Sequence, residues 1–138
     1  MREILFRAKR KDNGEWVEGF LFKTQEHTYI AYAEQFDDDL FLSPKNIFIE
    51  VIPETVGQYT GLTDKNGKKI FEGDICQIKG ISYIDETPFV IEWNNEYCGW
   101  FWKDLNFASA TDGITQDITK TAKIIGNIHD NHELLKGE

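Results

Sequence analysis

Three groups of residues have the types and spacing from which chemistry or recognition is built. The first is Tyr97-Cys98-Gly99-Trp100-Phe101-Trp102. Read as an extended strand, its alternation sets Cys98, Trp100 and Trp102 on one face and Tyr97 and Phe101 on the other. One set lines a core. The other lies under a neighbouring element, is buried in an oligomer interface, or forms a platform for a peptide or for unstacked bases. Tyr97 and Phe101 are therefore the candidate partner-binding residues. The second group is His129 and His132, three positions apart beside Asp130 and Glu133. A helix would bring the two imidazoles to one face, but zinc takes more ligands than these, so the group reads as a solvated helix cap. The third is Asp37-Asp38-Asp39. A calcium loop needs ligands at alternating positions around a glycine bend, which leaves a solvated acidic turn.

No nucleophile with a base, phosphate-cradling loop or carboxylate pair in an apolar setting stands out, so the expectation is a protein that is not an enzyme. No catalytic, cofactor-binding or metal residue is assigned. Gly57, Gly61, Gly67 and Gly73 are spaced as turn residues, with no helix behind them to complete a phosphate site. Cys76 and Cys98 lack a CxxC spacing and read as reduced core thiols. The formal net charge is -9, from 24 acidic and 15 basic residues, which disfavours duplex DNA held by phosphate attraction. Two local clusters, Arg7, Lys9, Arg10 with Lys11, and Lys65 with Lys68 and Lys69, read as solvated strand ends and a charged turn. There is no apolar leader and no run of membrane-spanning length, so the expected location is the cytoplasm.

These residues must be positioned by strands. Hydrophobic residues make up 41% of the 138 positions and aromatics 14%, enough for a dense core in a small chain. Ile4, Phe6 and Ala8 alternate with polar residues, Asp12-Asn13-Gly14 is a turn, and residues 16–22 return apolar on both faces, as a central strand would. Residues 29–33 read as a third strand, with helix left open by two alanines. Residues 47–52 are a fourth, stopped by Pro53. Gln58-Tyr59-Thr60 is a short strand, Gly61 a tight bend, and Asn66-Gly67 a two-residue hairpin turn. Glu72-Gly73-Asp74 bends again to launch residues 75–79. After a loop over residues 80–88, strands follow at 89–93, 97–102 and 123–128. Residues 103–121 read as a mobile lobe in which only Ile114 and Ile118 hint at order. Asn131 caps a single helical turn through Glu133, Leu134 and Leu135, with Gly137 as its stop.

Residues 58–75, the opening Met1-Arg2-Glu3-Ile4-Leu5-Phe6-Arg7-Ala8, and the ending Ile124-Ile125-Gly126-Asn127-Ile128 with Glu133-Leu134-Leu135 resemble the YopX family of phage and prophage proteins. The three matches fall at the start, middle and end of the chain. The sequence departs from the family pattern at Lys9-Arg10, where an aromatic-acidic pair is expected, and at residues 129–132, where Tyr and Pro are expected. The resemblance implies a phage-derived β-protein of SH3-like barrel character, expressed in bacteria, from a family of obscure molecular function.

Together these readings give a mostly β chain. An N-terminal β-meander (residues 1–53) packs on a C-terminal small SH3-like β-barrel (residues 54–138) with one short C-terminal helical turn. The expected function is a non-enzymatic module that binds a host or phage protein. The alternatives are a nucleic-acid role, by base stacking or by acidic mimicry of DNA, and an enzyme that carries no legible motif. A sheet edge left open would also admit a second copy of the chain as a partner.

Overall fold

The structure, a computed structural model, describes residues 2–34, 45–78, 88–105 and 111–136. Three expectations lie outside them: the acidic turn at Asp37-Asp38-Asp39, most of the loop over 80–88, and the stop at Gly137. The described chain is strand-rich and divides into two units, Met1–Gln58 and Tyr59–Glu138.

The first unit is the expected meander. Strands β1 (Phe6–Lys9), β2 (Trp16–Lys23), β3 (Thr28–Glu34) and β4 (Lys45–Glu50) pair antiparallel with their sequence neighbours. Gly14 takes φ +74 in the first turn, where its N–H donates to the Arg10 carbonyl at 2.9 Å. β2 lies between β1 and β3, as its two-sided apolar pattern predicts, and it changes partner half-way. Gly19 is opposite Phe6 of β1, and the next residue, Phe20, is opposite Ala31 of β3. A Cβ at Gly19 would lie 2.4 Å from the Ala31 carbonyl oxygen, so only glycine allows the strands to approach this closely. Pairing on both edges makes residues 28–34 a strand in spite of their alanines.

The meander then closes on itself. Val51 bridges Arg10, the Lys11 N–H donates to the Glu50 carbonyl at 3.0 Å, and the Ile52 N–H donates to the Lys9 carbonyl at 2.9 Å. Pro53 ends this run and opens a 3-10 turn, Pro53–Thr55. The Thr55 hydroxyl there accepts from the Lys9 N–H at 2.9 Å. β5 (Gly57–Thr63) begins beside β1, with Gln58 opposite Phe6. Inside, Ala8, Ile30 and Val51 are buried among Phe6, Val17, Leu21, Ile49 and Val56.

In the second unit the later residues of β5 pair with β6 (Lys69–Phe71). Gly61, at φ +88, is not a bend but a bulge within β5, marked by a register shift between Tyr59 and Thr63. The two-residue Asn66-Gly67 hairpin is also corrected. Gly67 has φ +78, whereas Asn66 keeps the ordinary sign, because the Asp64 carboxylate organises a longer turn. Its Oδ1 accepts from the N–H groups of Asn66 and Lys68, both at 2.9 Å. The bend at Gly73 is as expected, with φ +89, and it launches β7 (Asp74–Ile78).

β8 (Pro88–Asn94), β9 (Gly99–Asp104), β10 (Thr111–Gly113) and β11 (Ala122–Asn127) join β7 in a five-stranded antiparallel sheet of order β10-β9-β8-β7-β11. This is broadly consistent with a small SH3-like barrel, with the difference that no pairing joins β10 to β11 among the described residues. Its core is Ile70, Cys76, Ile78, Phe89, Ile91 and Ala122. Within the region expected as a mobile lobe, the described residues after β10 are Ile114 and the short helix α1 (Gln116–Thr119), and Ile114 and Ile118, the two positions that hint at order in the sequence, both pack on that core. The chain ends in the expected helical turn, a 3-10 turn over His132–Lys136, where the Leu134 N–H donates to the Asn131 carbonyl at 3.0 Å.

Candidate functional site

Tyr97 and Phe101 meet, though not by strand alternation. β9 starts only at Gly99, and Tyr97 belongs to the preceding turn, where its N–H donates to Asn94 Oδ1 at 3.0 Å. Cys98 then takes φ +53, a left-handed conformation that costs a non-glycine residue energy and swings the chain back. The result stacks the Tyr97 ring on Phe101, with centroids 5.4 Å apart and planes 20° apart. Tyr97 is 67% exposed and Phe101 half-buried. The same turn overturns the core reading of Cys98: its thiol is exposed, whereas that of Cys76 is fully buried. On the other face Trp100 and Trp102 pack on the core, and Trp93 meets Trp100 edge to face at 5.1 Å.

A larger aromatic surface lies in the first unit. Register places Phe22 opposite Tyr29, Tyr29 opposite Glu50, Phe20 opposite Ala31 and Ala31 opposite Phe48, so all these side chains share the outer face of β2, β3 and β4. Phe20 is 64% exposed, Phe48 56% and Phe22 50%. The rings touch: Phe22 meets Phe48 edge to face at 5.7 Å and Tyr29 at 6.1 Å, with the small Ala31 opening the floor between Phe20 and Phe48. Sequence reasoning missed this surface because residues 16–22 are apolar at both parities, which suits burial on two sides. The available signal was Gly19-Phe20-Leu21-Phe22, where two aromatics share one parity and a glycine and a leucine the other.

One border of the face is ionic. Glu50 Oε2 accepts from His27 Nδ1 at 2.9 Å and from Lys11 Nζ at 3.2 Å. The His27 hydrogen bond, then that from Lys11, holds the Glu50 carboxyl below its ordinary pKa. Beside it Arg10 grips Asp12 through two contacts of 2.9 and 2.8 Å, and Arg10, Lys11, Asp12, Phe48, Ile49 and Glu50 line an open hollow of about 320 Å³. Arg7 and Lys9 lie over the Trp16 ring, 4.7 and 5.5 Å from its centroid.

Two buried carboxylates are used structurally. Asp64 and Asp74 are buried, and both accept backbone N–H groups, Asp74 from Phe71 at 2.8 Å. Asp64 also reaches β11 through Oδ2, which accepts from the Ile124 N–H at 3.2 Å. Burial alone would raise its pKa; the N–H groups of Lys68, Ile124 and Asn66 outweigh that and lower it. His129 donates its backbone N–H to Asn127 Oδ1, while His132 is exposed at the start of the last turn. Among the described residues no three His, Cys, Asp or Glu side chains cluster as metal ligands would.

A closed meander followed by an open five-stranded antiparallel sheet defines a small mostly β protein with exposed aromatic surfaces and a -9 charge. The sequence profile of the family described as "YopX protein" matches residues 5–136, nearly the whole chain, and the chain belongs to the YopX family. It is similar to the crystal structure of protein EF1440 from Enterococcus faecalis, at 23% identity and a TM-score of 0.57, over 98% of this chain and 99% of that one. That likeness is one of fold. No curated protein matches the sequence. No helix among the described residues is long and apolar enough to cross a membrane.

Proposed function

We propose that the protein is a non-enzymatic protein-binding module, encoded by a phage or prophage and acting in the cytoplasm of a bacterial host. The observation that carries this reading is the outer face of the first unit, where Phe20, Phe22 and Phe48 leave half or more of their surface in water. Clustered exposed aromatics on a sheet are the composition of a protein interface core, and an ionic border such as Glu50 with His27 and Lys11 suits its rim. The non-catalytic part of the reading rests on the use of Asp64 and Asp74 as backbone acceptors. The stacked Tyr97–Phe101 pair favours one second reading, the stacking of an unpaired base. The -9 charge weighs against it, because such binding leans on phosphate attraction.

Capture from bacterial lysate, with and without nuclease, tests the choice. The expected result is a stoichiometric protein partner that survives nuclease and is lost with the double variant Phe20→Ser, Phe22→Ser while the fold persists. A partner kept by that variant would sink the reading. Recovery of nucleic acid, lost with Tyr97→Ala, would replace it with base stacking.

A further inference from the structure

Three steps in the chain set an Asn or Asp before a glycine: Asn13-Gly14, Asn66-Gly67 and Asp112-Gly113. At such a step the glycine nitrogen, with no side chain beside it, can attack the side-chain carbonyl carbon of the preceding residue and close a five-membered imide. By intrinsic reactivity the two asparagines come first, since in neutral water an amide is more readily displaced than a carboxylate. The fold reverses this order.

In both asparagine turns the glycine nitrogen is held away from the side chain. The Gly14 N–H donates to the Arg10 carbonyl at 2.9 Å, and the Gly67 N–H to the Asp64 carbonyl at 3.0 Å. Each turn must open before its nitrogen reaches the amide. Asp112-Gly113 is arranged otherwise. Gly113 of β10 is opposite Phe101 of β9, and the next residue, Ile114, donates its N–H to the Trp100 carbonyl at 3.1 Å. Antiparallel alternation therefore turns the Gly113 N–H away from β9. It donates instead to the side chain just before it, Asp112 Oδ1, at 2.8 Å. The Asp112 side chain is exposed, so water reaches it. The attacking nitrogen and the carboxyl it would attack are already in contact.

We infer that Asp112-Gly113 is a site of spontaneous aspartate isomerisation, with water as the co-reactant. Starting from the protonated carboxyl, the Gly113 nitrogen forms a bond to Asp112 Cγ, its proton passes to the hydroxyl oxygen, and the Cγ–O bond breaks to release water. Water then opens the imide. Addition at Cγ restores aspartate, whereas addition at the Asp112 main-chain carbonyl carbon leaves the chain running through Cγ, one methylene longer. That isoaspartate shifts Gly113 and Ile114 out of register. The Ile114 bond to Trp100 and the packing of Ile114 on the core are lost together, so the modification loosens one border of the second unit's core. This inference stands apart from the protein-binding reading and does not require it.

Incubation of the full-length chain at physiological temperature, folded and in denaturant, followed by peptide mapping, tests it. Isoaspartate at position 112 is recognised by a shifted elution at unchanged mass and by labelling with an isoaspartyl methyltransferase. In the folded chain it is expected to form about tenfold faster than in denaturant, because the contact is preset. Deamidation at positions 13 and 66, which changes the mass, is expected to be slowed about tenfold by folding, leaving position 112 ahead. Gly113→Ala is expected to fold, since the added Cβ would come no closer than 4.0 Å to the Phe101 ring, and to lose the product. Isomerisation at 112 no faster folded than unfolded, a folded chain that converts first at 13 or 66, or a Gly113→Ala chain that isomerises at the parent's rate would each overturn the inference.

Discussion

β2 and β9 are both built from aromatics around a glycine, yet they turn those aromatics in opposite directions. β2 sends Phe20 and Phe22 outward and buries its other parity, Val17 and Leu21, against Ala8, Ile30 and Val51. β9 sends Trp100 and Trp102 inward, where Phe89 and Ile91 meet them and Ile114 and Ile118 pack on the same core. The difference does not reside in either strand. A meander curled on itself has one inside, so a strand apolar on both faces must leave one face wet. The open sheet of the second unit has a covering segment, residues 114–118, that arrives from further along the chain. Strand patterning thus sets which residues share a face, and later elements decide which face is covered.

The sharpest way to break the comparison is in the covered core. Ile91→Ala, at a position 1% exposed, is expected to cost about 3 kcal/mol by lost burial and a residual cavity, read by denaturant titration. If it proves nearly neutral, β8 and β9 do not carry a packed core. Gly19→Ala comes next, at about 2 kcal/mol, since the added methyl overlaps the Ala31 backbone and the pivot of β2 must open. A tolerated alanine there would mean that the partner change within β2 is not glycine-dependent.

Asp64→Asn is expected to cost about 1.5 kcal/mol: Oδ1 can still hold the turn, but an amide N–H₂ replaces the oxygen that accepts from Ile124. Its pH dependence gives a second reading. The Asp64 pKa is lowered on folding, so its contribution is present above the ordinary carboxylate pKa and is lost as pH falls through the lowered folded value. The variant should therefore lose less stability than the parent over that acid window, and equal losses would remove Asp64 as the cause. Smallest is Phe20→Ser, within about 0.5 kcal/mol of the parent because the side chain is 64% exposed. A large loss of stability would mean that the outer face of β2 is covered after all.

Much of the fold is legible where backbone conformation is local. Gly14, Gly67 and Gly73 all take positive φ in turns, and Asp12-Asn13-Gly14 joins the strands it predicts. The strands at 16–22, 29–33, 47–52 and 89–93 all form, with ends shifted by a few residues. Failures occur where a side chain far away sets the geometry. Asp64 reads as a turn residue, but the N–H group that completes its shell belongs to Ile124, 60 positions on. Cys98 reads as core because alternation was extended into a turn that its left-handed φ reverses. Of the candidate surface, the Tyr97–Phe101 pair is legible by a route the structure changes, through the turn and not the strand. The Phe20, Phe22 and Phe48 cluster is not, because Phe48 joins it only through the register of β4 on β3.

The Asp64 pin also gives the second unit an order of events during synthesis. Turn 64–68 emerges from a ribosome well before Ile124, and until β11 is made the inward oxygen of Asp64 faces water. Closing that long loop carries an entropic cost that local turns do not have, so the contact belongs among the last to form. A nascent chain halted after β7 would hold the hairpin loosely. Once β11 has emerged, the turn, that strand and the Lys65 to Ala122 bond shut together, which makes the carboxylate of Asp64 a latch closed by the arrival of β11.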